Sequence, residues 1–295
     1  MDYATYFKTW NSDRCAYGHI TQSSADAYTR LVAPALEIIG RKTLKQLTYD
    51  DIDSCYRKLV RTHGPTRVRN LSIQVCKSLH DATQRKLIPA NPAASVEAPK
   101  AKRKVKTTTL SKDQLAAVLE ASKSWGETGR ICRYIVYTGC RRGEACGLQW
   151  QDVDLRTGTV TIRRQIAMVG AIPHVAPVKT EKGNRTITLP AAVLEELRSL
   201  QGAPTAWVFP NQHGRNRNPD QLSKDTRELF DGIGLDFSLH DLRHAHATFL
   251  LQQALPIKAV SERLGHSNVQ ITLGIYTHVM PGDDARLAGA MDLLR

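Results

Sequence analysis

Three histidines and an arginine fall within seven residues of the stretch SLHDLRHAHATFL, Ser238 to Leu250. Such a set can ligate a metal, bind a phosphate, or sit satisfied in a core. Ser238 and Asp241 have capping-box spacing, which predicts a helix from about Leu239. At about 100° per residue, Leu239, Leu242, Phe249 and Leu250 share one face, with His246 among them. His246 is therefore expected to be a core histidine satisfied by a hydrogen bond. His240, Arg243 and His244 fall on an adjacent face near the helix N-terminus, where anions are favoured. The segment HDLRH resembles the H-E-x-x-H zinc pattern, but its second residue is Asp, shorter than the usual Glu base. Arg243 would also repel a divalent cation on that face, whereas a phosphate favours an arginine there. No metal and no other cofactor is expected.

His240-x-x-Arg243-His244, followed by ERLGHSNVQITLGIYTHV, resembles the tyrosine recombinase family, and its phage integrase branch in particular. Upstream, YTGCRRGEACGLQWQDVDL matches the family's first arginine box and places that arginine at Arg141. VKTEKGNRTITLP matches the hairpin that carries the family's lysine, here Lys179, with Lys182 as the competing choice. LGHS supplies His266, and the family's tyrosine falls ten residues later at Tyr276. The resemblance implies attack of the Tyr276 hydroxyl on a DNA phosphodiester, giving a 3′-phosphotyrosine and a free 5′-hydroxyl. Arg141 and Arg243 then hold phosphate oxygens in forks. His240 and His266 donate hydrogen bonds or move protons, and Lys179 protonates the leaving oxygen. Glu144, three residues after Arg141, is expected to orient the site. His244 is a supporting residue, contacting phosphate or steadying the helix start. Arg142 reads as a surface or structural arginine, Tyr134 and Tyr137 as core, and His278 as auxiliary or exposed.

The elements that must carry these residues are mostly helical. SSADAYTRLVAPALEIIG predicts a helix burying Leu31, Ala35, Ile38 and Ile39. Thr48 and Asp51 predict a capped helix start, as do Ser111 and Gln114. TRVRNLSIQVCKSLHDATQRKLI predicts a longer helix, stopped by the prolines that follow. RICRYIVYTG places Ile131, Tyr134, Ile135 and Thr138 on one face, with Gly139 as its stop. GTVTIRRQIAMV and RTITLP alternate like strands, so one small antiparallel sheet is expected, with HVAPVKTEKGN between. From Pro190 the pattern is helical to the end, including an amphipathic helix over residues 285–294.

The chain has 295 residues and a formal charge of +13. Its first 110 residues hold 19 basic and 9 acidic side chains; the remaining 185 hold 22 and 19. A surplus concentrated in one end points to a polyanion, most simply nucleic acid. Cys15, Cys55, Cys76, Cys132, Cys140 and Cys146 contain no C-x-x-C pair and read as reduced, mostly buried thiols. No apolar run is long enough for a membrane helix, and the N-terminus lacks a signal-peptide pattern.

The expected fold is mainly α with a small antiparallel β-sheet. On the resemblance it divides into a helical SAM-like core-binding domain, 1–98, and a basic linker, 99–108. An α+β catalytic domain, 109–280, and a tail helix, 281–295, complete a C-shaped clamp on DNA. Lys100, Lys102, Arg103, Lys104 and Lys106 of the linker are candidate phosphate contacts. Many phage integrases carry an additional arm-binding domain at their N-terminus; this sequence starts almost directly at the core-binding domain, the arm-binding domain being either naturally lacking or truncated. The implied protein is a monomer when free and a homotetramer on double-stranded attachment sites, cytoplasmic and nucleoid-associated in a bacterial host. Directionality or DNA-bending proteins are its expected accessories. Phage integration and excision is the leading role. A Xer-like resolution recombinase, a nicking-sealing topoisomerase, a zinc hydrolase and a non-catalytic DNA-binding regulator are the alternatives.

Overall fold

The computed structural model describes residues 1–100, 110–178 and 180–276, with the backbone alone for residues 271 and 274–276. The chain divides into two compact units, Met1–Lys106 and Thr107–Arg295.

Among its described residues the first unit contains four α-helices: α1 (Tyr3–Ala16), α2 (Gln22–Ile39), α3 (Tyr49–His63) and α4 (Pro65–Gln84). The sequence reading did not anticipate α1. It starts at Asp2, whose carboxylate accepts from the Thr5 backbone N–H at 2.9 Å, and it buries Tyr3, Tyr6, Phe7 and Trp10. In α2 the buried residues are Ala25, Val32, Ala35 and Ile39, while Ile38 faces outward. The buried face is thus rotated from the expected one, because α2 packs against α1, α3 and α4 together. The capping box at the start of α3 forms as expected, with Thr48 N–H donating to Asp51 Oδ2 at 3.1 Å. Gly64, at φ +73°, turns the chain directly into Pro65 at the head of α4.

The second unit opens with α5 (Lys112–Ala121), α6 (Gly126–Thr138) and the short α7 (Arg142–Cys146). Ile131, Tyr134, Ile135 and Thr138 of α6 are all buried, and Gly139 ends the helix at φ +66°. The strand region forms two sheets where one was expected. β1 (Val153–Asp154), β2 (Thr159–Ile162) and β5 (Arg185–Thr188) make one antiparallel sheet in the order β1-β2-β5. β3 (Arg164–Val169) and β4 (Ile172–Pro177) make a separate antiparallel hairpin. The run GTVTIRRQIAMV therefore breaks at Arg163. Arg163 and Arg164 both reach the buried carboxylate of Asp152, which anchors the junction.

Helices return with α8 (Ala191–Arg198) and α9 (Pro219–Gly232), then α10 (Leu239–Gln252), α11 (Ile257–Leu264) and α12 (Val269–Tyr276). The pattern is not helical throughout after Pro190. Residues 199–218 form a connection pinned by bridges between Gln149 and Trp207 and between Pro210 and Asn216. The unit's core gathers α6, β2, α8 and the start of α10 around Ile131, Ile135, Val160, Leu197 and Leu242. The six cysteines are free thiols, four of them buried. Among the described residues, no helix is long and apolar enough to cross a membrane.

Candidate active site

Arg141 stands immediately before α7 and closes a loop with Glu144. Its backbone N–H donates to Glu144 Oε2 at 2.8 Å, and its Nη1 donates to Oε1 at 2.7 Å. Its Nη2 reaches the carbonyl of Gly265 at 3.1 Å. Arg243, on α10, is 4% exposed. It donates from Nη1 to the Gly139 carbonyl at 2.5 Å and from Nη2 to the Leu264 carbonyl at 2.7 Å. Gly139 and Gly265 are the left-handed caps that end α6 and α11. The last carbonyls of a helix lack intrahelical partners and carry the negative end of its dipole. Two helix ends thus hold two guanidiniums in place with partial charges. Two of the five Arg243 N–H donors are used in this way, which fixes the plane of the fork.

A third guanidinium joins them. Arg185, at the start of β5, donates to Glu144 from Nη2 at 2.9 Å and from Nη1 at 3.3 Å. It also donates from Nε to the Arg263 carbonyl at 2.7 Å and from Nη1 to the Gly183 carbonyl at 3.1 Å. Burial alone would raise the Glu144 carboxyl, but Arg185 and then Arg141 hold it below the usual carboxylate range. Three guanidiniums against one carboxylate leave this cluster with two uncompensated positive charges.

Imidazoles stand within the field of the cluster. His266 follows the Gly265 cap, and its Nδ1 lies 2.7 Å from the hydroxyl of the buried Thr272. Burial, then Arg243 and Arg141, push its pKa down to about 4. Burial and then His240 push His244 down to about 4 as well. His240 is lowered by desolvation and then by Arg243. The His240 and His244 rings meet edge to face with centroids 4.4 Å apart. Burial, then Arg141, lowers Arg243 to about 10, which keeps it charged at neutral pH.

His246 occupies the expected core position. Its Nδ1 lies 2.8 Å from the Val136 carbonyl, and its Nε2 accepts from Arg263 Nε at 3.3 Å. Those partners assign the proton to Nδ1. One expectation for α10 fails: Phe249 is 39% exposed instead of sharing the buried face of Leu239 and Leu242, while Arg243 is buried and His240 is exposed. The reason is that α10 packs against both α6 and α11, so its buried arc is broad and also takes in Ala245, Ala247, Thr248 and Leu251.

The structure brings Arg141, Glu144, Arg243 and His266 together, with His240 and His244 beside them. Arg142 is tied to α9 through Asp220 and Ser223. Tyr134 is buried, and Tyr137 packs half-buried against the same core. Lys182 is exposed in a single turn over Glu181–Gly183, while Lys179 lies outside the described residues. Tyr276 is the last residue of α12. His278, Lys102, Arg103, Lys104, Lys106 and the tail lie outside the described residues; Lys100 is exposed. Among the described residues, no group of three or more His, Cys, Asp or Glu is placed to hold a metal ion. The sequence reading missed Arg185, Arg263 and Thr272. The only sequence signal for Arg185 was an arginine opening an otherwise alternating strand.

The phage integrase family matches residues 108–282. A tyrosine recombinase XerC-like protein of Caldanaerobacter subterraneus subsp. tengcongensis is 28% identical over 222 residues, 66% of this chain and 54% of that protein. The chain thus spans about half the length of this relative. Tyrosine recombinase XerD of Staphylococcus epidermidis is 26% identical over 272 residues, 88% of this chain and 89% of that protein. In fold, the chain is similar to a Tn1549 transposon integrase solved with transposon right end DNA. The TM-score is 0.82 at 18% identity, with 100% of both chains covered. A match to the family over more than half of the sequence settles the affiliation: this chain belongs to the phage integrase family.

Proposed function

We propose that the protein is a site-specific DNA recombinase that cleaves and rejoins strands through a 3′-phosphotyrosine on Tyr276. The observation that carries this reading is the cluster in which Arg141 and Arg185 pair with the Glu144 carboxylate while Arg243 is held beside them by the Gly139 and Leu264 carbonyls. A phosphodiester carries one negative charge, and attack at phosphorus places more on its non-bridging oxygens. Fixed donors aimed at that growing charge lower the barrier, because they need no reorganisation as it develops. Arg141 and Arg243 fill that role, each already anchored by a helix end. The Tyr276 oxygen attacks phosphorus, the bond to the 5′-oxygen breaks, and Lys179 supplies that oxygen with a proton. Neutral His240 and His266 hydrogen-bond to the phosphate or carry the phenol proton. Bond energy is kept in the phosphotyrosine, so a 5′-hydroxyl of a partner duplex reverses the step without ATP or a metal.

On this reading residues 1–98 are the core-binding domain, 99–108 a linker following DNA phosphates, 109–280 the catalytic domain and 281–295 a docking tail. The substrate is a pair of double-stranded attachment sites, bound by four copies of the chain with directionality or bending proteins as accessories. The setting is the bacterial cytoplasm and nucleoid, and the role is phage integration and excision. The test uses nicked duplexes drawn from the DNA that flanks the gene, incubated with the protein in excess chelator. A denaturing gel should show a protein–DNA adduct. Absence of an adduct on every flanking duplex, or its appearance only after zinc is restored, would overturn the reading.

A further inference from the structure

Glu144 poses an electrostatic problem. It is 4% exposed and bonds twice to Arg141, once through the backbone and once through the guanidinium. A carboxylate so close would cancel the charge that Arg141 offers to an anion. Among the described residues it is also the only carboxylate paired with Arg141 or Arg185. Arg185 approaches it from the other side, fork to fork, with a side chain only 7% exposed. A structural tie alone would not require this arrangement, since the Arg263 and Gly183 carbonyls already fix Arg185 between α11 and the turn before β5.

We propose that Arg185 is a positioning residue that neutralises Glu144, so that this carboxylate can fix Arg141 without cancelling its charge towards phosphate. This rests on the recombinase reading for the identity of the anion as a DNA phosphodiester. Arg185 itself touches no reacting atom. Without it, Glu144 would be shared by one guanidinium in place of two. Arg141 would then be held in a closed ion pair, and the cluster would lose half of its surplus charge. With it, Glu144 is a hinge post and Arg141 remains cationic.

The test compares Arg185→Gln, Arg185→Lys, Glu144→Gln and the double variant Glu144→Gln/Arg185→Gln. One probe is a nicked flanking duplex on which the wild type forms an adduct, at saturation. Arg185→Gln should slow adduct formation by about 10- to 100-fold, by analogy with the partners that orient the ligands of a metal site. Arg185→Lys should recover part of that loss. The decisive readout is the double variant: removing the carboxylate as well should restore much of the rate, since nothing then cancels Arg141. A merely structural pairing would give no rescue, and the double variant would react no faster than the slower single variant. A double variant no faster than Arg185→Gln, or a folded Arg185→Gln that reacts at the wild-type rate, would overturn the proposal. If Arg185→Gln does not melt cooperatively, Glu144→Gln and the double variant should still react alike, and a tenfold gap between them would count against it. The second probe is inorganic sulfate, followed by calorimetry on the same proteins. It should bind more weakly to Arg185→Gln and recover in the double variant; unchanged binding overturns the proposal. The sulfate arm decides Arg185 even where no duplex gives an adduct with the wild type, an outcome that removes only the recombinase reading.

Discussion

Arg243 carries a full charge in a place that excludes water, and it keeps that charge because two helix ends receive it. Truncation should therefore strike the reaction harder than the binding. Arg243→Ala is expected to lose about 10²-fold or more in single-turnover cleavage, near 3 kcal/mol, as for removal of one transition-state donor. Affinity for DNA should change little if, as proposed, the basic first unit supplies other phosphate contacts. Arg243→Lys should recover only part of the rate, since an ammonium keeps the charge but loses the fork. Thermal melting checks that both variants fold. His266 makes a pH-dependent counterpart. Burial, then Arg243 and Arg141, hold it down to about 4, so it is neutral in the free protein at pH 5.5. A phosphate anion in the cluster favours the charged imidazole and raises that value. DNA binding at pH 5.5 should then take up protons, measurable by calorimetry in buffers of unlike ionisation enthalpy. His266→Gln should reduce the uptake; equal uptake in both proteins would remove His266 from the site.

The helix ends at Gly139 and Gly265 matter more than their length in the sequence suggests. A Cβ added at Gly139, at φ +66°, would lie 2.5 Å from His246 Cδ2 and 2.8 Å from Leu264 Cδ2. Gly139→Ala should cost about 2–4 kcal/mol, from strain plus overpacking. It should also slow cleavage, because its carbonyl positions Arg243. Gly214→Ala, where φ is +73° but nothing lies within 4 Å, should cost only about 1 kcal/mol. Denaturant melts of both variants check the contrast. The helix starts at Thr48, Ser111 and Ser238 were legible because a capping box is a local rule with a fixed spacing. So was the stop at Gly139. The inward turn of Arg243 was not legible, because periodicity reports which residues share a face and not how many neighbours cover it. The break at Arg163 escaped notice for a similar reason. It depends on Asp152, a buried carboxylate eleven residues earlier. Arg185 was hidden by distance, since its partners Glu144 and Arg263 lie 41 and 78 residues away.

For the whole molecule, charge distribution gives the clearest expectation. The segment from Lys100 to Lys106 joins two units of unlike composition, and its five cations suit a phosphate backbone. Replacing Lys100, Lys102, Arg103, Lys104 and Lys106 by Ala should weaken DNA binding and flatten its salt dependence. Each lost phosphate contact lowers the log–log slope by about 0.9. An unchanged slope, read by fluorescence anisotropy across a salt series, would place these side chains away from DNA. The chemistry turns on which atom becomes bonded to phosphorus. The most direct measurement is peptide mass spectrometry of the covalent adduct formed on a nicked flanking duplex. A nucleotide 3′-phosphate is expected on Tyr276 and no adduct from Tyr276→Phe, while that variant binds the duplex as the wild type does. A nucleotide attached to any other residue, or an adduct that persists in Tyr276→Phe, would contradict that chemistry.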